Sequence, residues 1–129
     1  MNHDQQEKII VKSYKDLIVW QKAMELAKIV YLLVKKLPKE ELFSLSDQIR
    51  RAAVSIPSNI AEGQARNSTR EFQHFLAIAR GSKAELETQL LLCVNVGYFT
   101  ETDISKPIAL IHEVSKMLSV LSATLTTNN

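Results

Sequence analysis

Residues 68–97 read STREFQHFLAIARGSKAELETQLLLCVNVG. Within them Phe72, Phe75, Ala79, Ser82, Leu86, Leu90 and Cys93 recur at steps of three and four, the period of a helix that buries one face. Ser68-Thr69-Arg70-Glu71 is an S-x-x-E capping box, in which serine and glutamate satisfy first-turn amides. Gly97 supplies the residue on which such a helix stops. One helix cannot cover its own apolar stripe, so the flanking chain must supply partners for it.

Upstream, Leu45, Ile49, Ala53, Ile56 and Ile60 predict a second helix, with Ser46 as its cap and Asp47 in its first turn. Pro57 falls inside and removes one backbone bond at a cost of about 3 kcal/mol. The stripe stays in phase through Ile60, so the helix is expected to kink and continue to a stop at Gly63–Asn67. Before it, the S-x-x-D of Ser13–Asp16 opens a first helix that Pro38 ends. That helix carries two apolar lines. One is Leu17, Trp20, Met24, Ala27, Tyr31 and Val34, and the other is Val19, Ala23, Leu26, Val30, Leu33 and Leu37. Two lines fit either a central helix covered by its own chain or a helix that meets another subunit. Downstream, Thr100–Asp103 is a further capping box before Ile104, Ile108, Ile111, Val114, Leu118, Leu121 and Leu125. Pro107 leaves two starts open for this fourth helix, near residue 101 with a kink or near 106. The expected fold is all-α, an antiparallel up-down four-helix bundle over residues 13–126 behind a flexible polar arm, residues 1–12.

Composition agrees. Three glycines and three prolines are too few for the many turns of an all-β domain. Apolar residues at 46% exclude a disordered chain. The longest run without charge, Thr88–Thr100, falls short of the roughly 20 residues of a membrane span, so no membrane association is expected. The first residues lack the apolar core of a secretory leader, and one cysteine allows no internal disulfide. A cytoplasmic location follows as the expectation.

The chain offers little for catalysis. A di-iron bundle needs two E-x-x-H pairs and two further glutamates. Glu71–His74 is one pair, and no second exists. Cys93 lies among leucines and reads as a small core residue rather than a nucleophile. Ser55 and Ser82 have no histidine at helical spacing, and no glycine-rich phosphate loop is present. No enzyme activity, metal or cofactor is expected. Pairing the second and third helices about a turn near residue 67 sets Gly81 beside Val54 and Ser55, with Ala79 and Ser82 beside Ile56 and Ala53. This predicts a small-residue layer in which Gly81 lets the two helices approach.

Charge carries the functional signal. The net is only +2, yet all five arginines lie between positions 50 and 80. Residues 48–83 hold six bases (Arg50, Arg51, Arg66, Arg70, Arg80, Lys83) against two acids (Glu62, Glu71). The same pairing sets Arg51 beside Lys83 and Arg80 beside Ser55, with Arg66 and Arg70 at the hairpin tip. Such a face runs about 20 Å at 1.5 Å per residue, and arginine forks match phosphate oxygens. The competing reading is a solvated face with local ion pairs, Arg50 with Glu85 and Glu62 with Arg66.

Three stretches resemble a known family: Asp16-Leu17-x-Val19-Trp20-Gln21-Lys22-Ala23; the Gln48–Gly63 run QIRRAAVSIPSNIAEG; and Phe75-Leu76-x-Ile78-Ala79-x-Gly81-Ser82 with Glu85-Leu86-Glu87. They resemble the four-helix-bundle proteins encoded in intervening sequences of 23S ribosomal RNA genes. The resemblance runs from about Tyr14 to Leu121. It implies a homo-oligomeric ring, a homopentamer, with no enzyme activity. It also implies similarity to the accessory variability protein of diversity-generating retroelements, a basic bundle that binds nucleic acid and works with a reverse transcriptase. Arg50 and Arg51 fall within the family motif, while Arg66, Arg70, Arg80 and Lys83 rest on charge alone. Ser55, Asn59 and Glu62 are expected to close polar gaps around Pro57. The expectation is therefore a nucleic-acid-binding protein, RNA preferred, contacting phosphate with low sequence specificity because few aromatics are available to stack on bases. The alternative is an adaptor ring that binds a protein partner.

Overall fold

The computed structural model describes residues 13–127, and the expected arm, residues 1–12, lies outside them. Four helices follow in order: α1, Ile18–Val34; α2, Leu45–Gln64; α3, Thr69–Asn95; and α4, Glu101–Thr127. There is no strand among the described residues. α1 packs on α2 and α4, and α3 packs on the same two, so each helix has two neighbours and none close across the diagonal. The core is aliphatic. Leu26 and Val30 of α1, Ile49, Ile56 and Ile60 of α2, Leu76, Leu86 and Leu90 of α3, and Ile111, Val114 and Leu118 of α4 are fully buried.

Contacts between neighbours fix their register. On α2 and α3, Ser55 hydrogen-bonds Ser82 at 2.7 Å, while Gly63 lies against Phe72 and Phe75. On α3 and α4, Gln73 donates to the Ser122 carbonyl at 3.2 Å and Glu87 meets His112 at 3.4 Å. On α1 and α4, Lys22 pairs with Glu113 at 3.2 Å, and just past the end of α1 Lys36 pairs with Asp103 at 3.7 Å.

Several boundaries depart from the sequence reading. Ser13–Asp16 does form a capping box, but it closes a separate 3-10 turn, Tyr14–Asp16. Leu17 is then extended, and α1 begins at Ile18. α1 ends at Val34, ahead of Pro38. α2 begins at Leu45 with Ser44 at its N-cap, so Ser46 sits inside the first turn, buried. The Ser44 hydroxyl donates to Glu41 Oε1 at 2.7 Å and does not cap the helix. Pro57 lies inside α2 as expected. Beside it the Asn59 amide donates to the Ser55 carbonyl at 2.8 Å and hydroxyl at 2.9 Å, so two of the three residues assigned to this gap meet. At Ser68 the box is half made: its hydroxyl accepts from the Glu71 amide at 3.1 Å, but the Glu71 carboxylate turns to that same hydroxyl.

α3 ends in a complete Schellman motif. Gly97 has φ +87°, the Tyr98 amide donates to the Cys93 carbonyl at 2.8 Å, and the Gly97 amide donates to Val94 at 3.1 Å. Both halves of the Thr100–Asp103 box form, at 2.8 and 3.1 Å. A capped start leaves Pro107 in the second turn, so α4 starts at Glu101 and runs through it.

Gly81 is a correction. It is exposed, and a Cβ placed there meets nothing within 4 Å. Pairing by number fixes height along the helices but not direction around them. Ala79, Ser82 and Leu86 take the buried positions, and a residue one before Ser82 points about 100° away. The close approach falls instead at Gly63, where a Cβ would lie 2.8 Å from Phe75 Cβ and 2.9 Å from Phe72 Cδ1.

α4 is long and apolar enough to cross a membrane by length and composition, with mean hydropathy reaching 1.4. The longest-uncharged-run criterion misses it because Glu113 and Lys116 interrupt the sequence. In the bundle its Ile104, Leu110, Ile111, Val114 and Leu118 enter the core, and Glu113 pairs with Lys22.

Candidate nucleic-acid interface

The six basic residues fall into three groups. Arg50 and Arg51 lie early in α2 and line a shallow groove of about 390 Å³ with Tyr31, Asp47, Val54 and Ser55. Arg80 and Lys83 flank Ser82 on α3, and the Ser55–Ser82 bond holds that level against α2. Arg66 follows the end of α2 and Arg70 sits in the first turn of α3, at the tip of the hairpin.

Their charges are not equally available. Arg51 Nε donates to Asp47 Oδ2 at 2.9 Å, and that carboxylate holds the guanidinium above its ordinary pKa. Arg66 is the most committed, with Nη2 at 2.8 Å from Glu62, Nη1 at 3.6 Å from Glu71, and its guanidinium 4.8 Å over the Phe75 ring. The Glu62–Arg66 pair was legible from its spacing of four. Asp47–Arg51 has the same spacing and was missed, because Asp47 was read only as complementing the helix dipole. The stacking on Phe75 crosses from one helix end to the next and leaves no trace in local sequence. Among the described residues Arg50, Arg70, Arg80 and Lys83 form no ion pair, and the expected Arg50–Glu85 pair does not form. Lys22 of α1 is used by Glu113, and Lys36, past the end of α1, by Asp103.

A second surface lies between α1 and α2. The whole Val19 line of α1 is buried, and Ala27 and Val34 of the other line are buried with it, while Met24 and Tyr31 of that line remain 46% and 43% exposed. With Tyr14, Trp20, Val54 and Pro57 they line a largely apolar groove of about 450 Å³. The double stripe was visible in sequence; which line faces outward was not.

The candidate reactive groups weighed from the sequence are each buried or engaged among the described residues. Cys93 is buried, and burial, reinforced by the Glu41 charge, pushes its thiol up to about 11. His74 packs edge-on against Phe75 with ring centroids 5.3 Å apart, and Glu71 is turned to Ser68 and Arg66. Among the described residues no group of three or more His, Cys, Asp or Glu side chains could hold a metal.

The fold thus defines a four-helix-bundle protein. The family model of the 23S rRNA-intervening sequence protein matches residues 15–120, and the chain belongs to that family. The chain is similar to a crystal structure of a protein of unknown function from the S23 ribosomal protein family of Bacteroides thetaiotaomicron. The TM-score is 0.76 and the identity 30%, over 82% of this chain and 96% of that one. No curated protein matches the chain.

Proposed function

We propose that this chain is a non-enzymatic, cytoplasmic, nucleic-acid-binding protein that contacts phosphates, preferably of RNA, through basic side chains of α2 and α3. In this reading the helices form an antiparallel up-down bundle, α4 is a bundle helix and not a membrane span, and five copies form a ring. The observation that carries the reading is that Arg50, Arg70, Arg80 and Lys83 lie on two adjacent helices with no carboxylate partner among the described residues. Unpaired cations on a rigid hairpin neutralise phosphates without giving up an existing ion pair. A ring repeats the patch and strengthens its field.

Binding of a single-stranded RNA measured across a salt series tests this. Affinity should fall as salt rises, with a log–log slope of about −0.7 per phosphate contact. Arg50→Ala with Arg80→Ala should weaken unrelated sequences alike and make the slope shallower by about 1.4 for two lost contacts. Arg51→Ala should do less, since Asp47 already holds that guanidinium. Absence of binding by the parent protein overturns the reading.

The apolar α1–α2 groove favours a second reading, an adaptor ring in which the groove takes a protein. Under that reading RNA does not bind, and replacing Arg50 and Arg51 breaks the assembly.

A further inference from the structure

Behind Arg50, away from the α3 face, lies a pocket of about 220 Å³ at the end of the bundle where α1 turns into α2. Three cations from three elements line it: Lys35 just past the end of α1, Lys39 of the 3-10 turn Lys39–Glu41, and Arg50 of α2. Its walls include Leu37 and Leu42, and no carboxylate lines it. None of the three cations has an ion-pair partner among the described residues. The nearby acids are engaged elsewhere or lie outside the lining. Glu41 accepts from Tyr98 and Ser44, Asp47 holds Arg51, and Glu40 is exposed.

A fourth group lines the same pocket. Ser46 is only 3% exposed as a residue and contributes to the pocket wall, and its hydroxyl is not among the buried atoms left without a partner. A serine hydroxyl at the wall of a pocket supplies a donor to an anion seated there. Ser46 sits in the first turn of α2, whose N-cap gives no side-chain cap and whose dipole favours an anion. Three like charges around one small cavity repel one another unless something negative stands between them.

We propose that this pocket seats a phosphate group, held by Lys35, Lys39 and Arg50 and accepting a hydrogen bond from Ser46. The phosphate is either one of a bound nucleic acid or a free oxyanion. The first source rests on the function proposed above, and the second does not. Arg50 lines both this pocket and the groove beside Arg51, so a nucleic-acid strand lying along that groove has a route to it.

The full-length protein is titrated calorimetrically with inorganic phosphate at constant ionic strength, and separately with a short single-stranded RNA with and without a 5′-phosphate. The parent should bind one phosphate per chain, and Lys35→Gln with Lys39→Gln should weaken it at least tenfold. Both lysines are exposed, so this variant keeps its fold. Ser46→Ala should weaken phosphate several-fold. If the source is nucleic acid, inorganic phosphate competes with the RNA, and the lysine variant weakens the RNA too. Phosphate binding that the lysine variant loses, in a protein that does not bind RNA, upholds the pocket and overturns the nucleic-acid reading. RNA binding that the lysine variant leaves unchanged, with no phosphate binding by the parent, overturns the pocket and upholds the nucleic-acid reading.

Discussion

Two glycines respond in opposite directions to the same methyl group. At Gly63 an added Cβ collides with Phe75 Cβ at 2.8 Å, and the Phe72 carbonyl oxygen stands at 3.3 Å. Neither is the far end of a flexible side chain, so Gly63→Ala should destabilise by about 1–3 kcal/mol, as overpacking does. Gly81 is exposed in mid-helix with open space around it, so Gly81→Ala should stabilise by about 1 kcal/mol through helix propensity. Paired urea titrations read both signs, and a stabilised Gly63→Ala would mean that the α2–α3 approach lies elsewhere. The sequence showed both glycines but credited the wrong one. The direction a residue takes around its helix depends on tertiary packing that numbering cannot supply. The arginines show the same limit. Their clustering in residues 48–83 and the Glu62–Arg66 pair are plain in the sequence, while the commitment of Arg66 to Glu71 and Phe75 needs the start of α3 folded back on the end of α2.

At the scale of elements, stripes were legible and ends were less so. All four helices, and Pro57 within α2, follow from apolar period and capping signals, because those are local, whereas Pro107 left two starts open for α4. The starts of α1 and α2 were misplaced because Leu17 turns extended and because Glu41, from the preceding turn, takes the Ser44 hydroxyl. These clasps make stability depend on pH. In the fold, the Tyr98 hydroxyl, then Ser44, hold Glu41 below the usual carboxylate range, and the Thr100 amide does the same for Asp103. Their contribution is present above about pH 4 and is lost as pH falls through the lowered folded values. Tyr98 is held above its ordinary value by its bond to Glu41, so its share is complete below about pH 10 and lost as pH rises through the raised value. Urea unfolding across pH should show both flanks. Tyr98→Phe should remove the alkaline one and blunt the acid one. Thr100→Ala should cost about 1 kcal/mol at neutral pH by opening the α4 box. An alkaline flank that persists in Tyr98→Phe would assign it to another group.

At the scale of the whole molecule, the α1–α2 groove leaves Met24, Tyr31 and Val54 at the surface, beside exposed Ile18 and Leu32. A surface of this kind favours association, and light scattering at micromolar concentration should find a particle several times 14.6 kDa, a pentamer under the proposed reading. Met24→Lys should shift it toward single chains, and a parent that stays monomeric sinks the ring. Trp20, the chain's one tryptophan, is half-buried on that groove's rim, its ring edge-on to Tyr14 at 5.2 Å. The protein therefore carries its own optical probe. Dissociation of the ring should move the emission maximum to longer wavelength as water reaches the indole. Phosphate entering beside Lys35, some 20 Å along α1, should leave the colour of that emission unchanged. Assembly and ligation can thus be followed separately in one cuvette, without a dye.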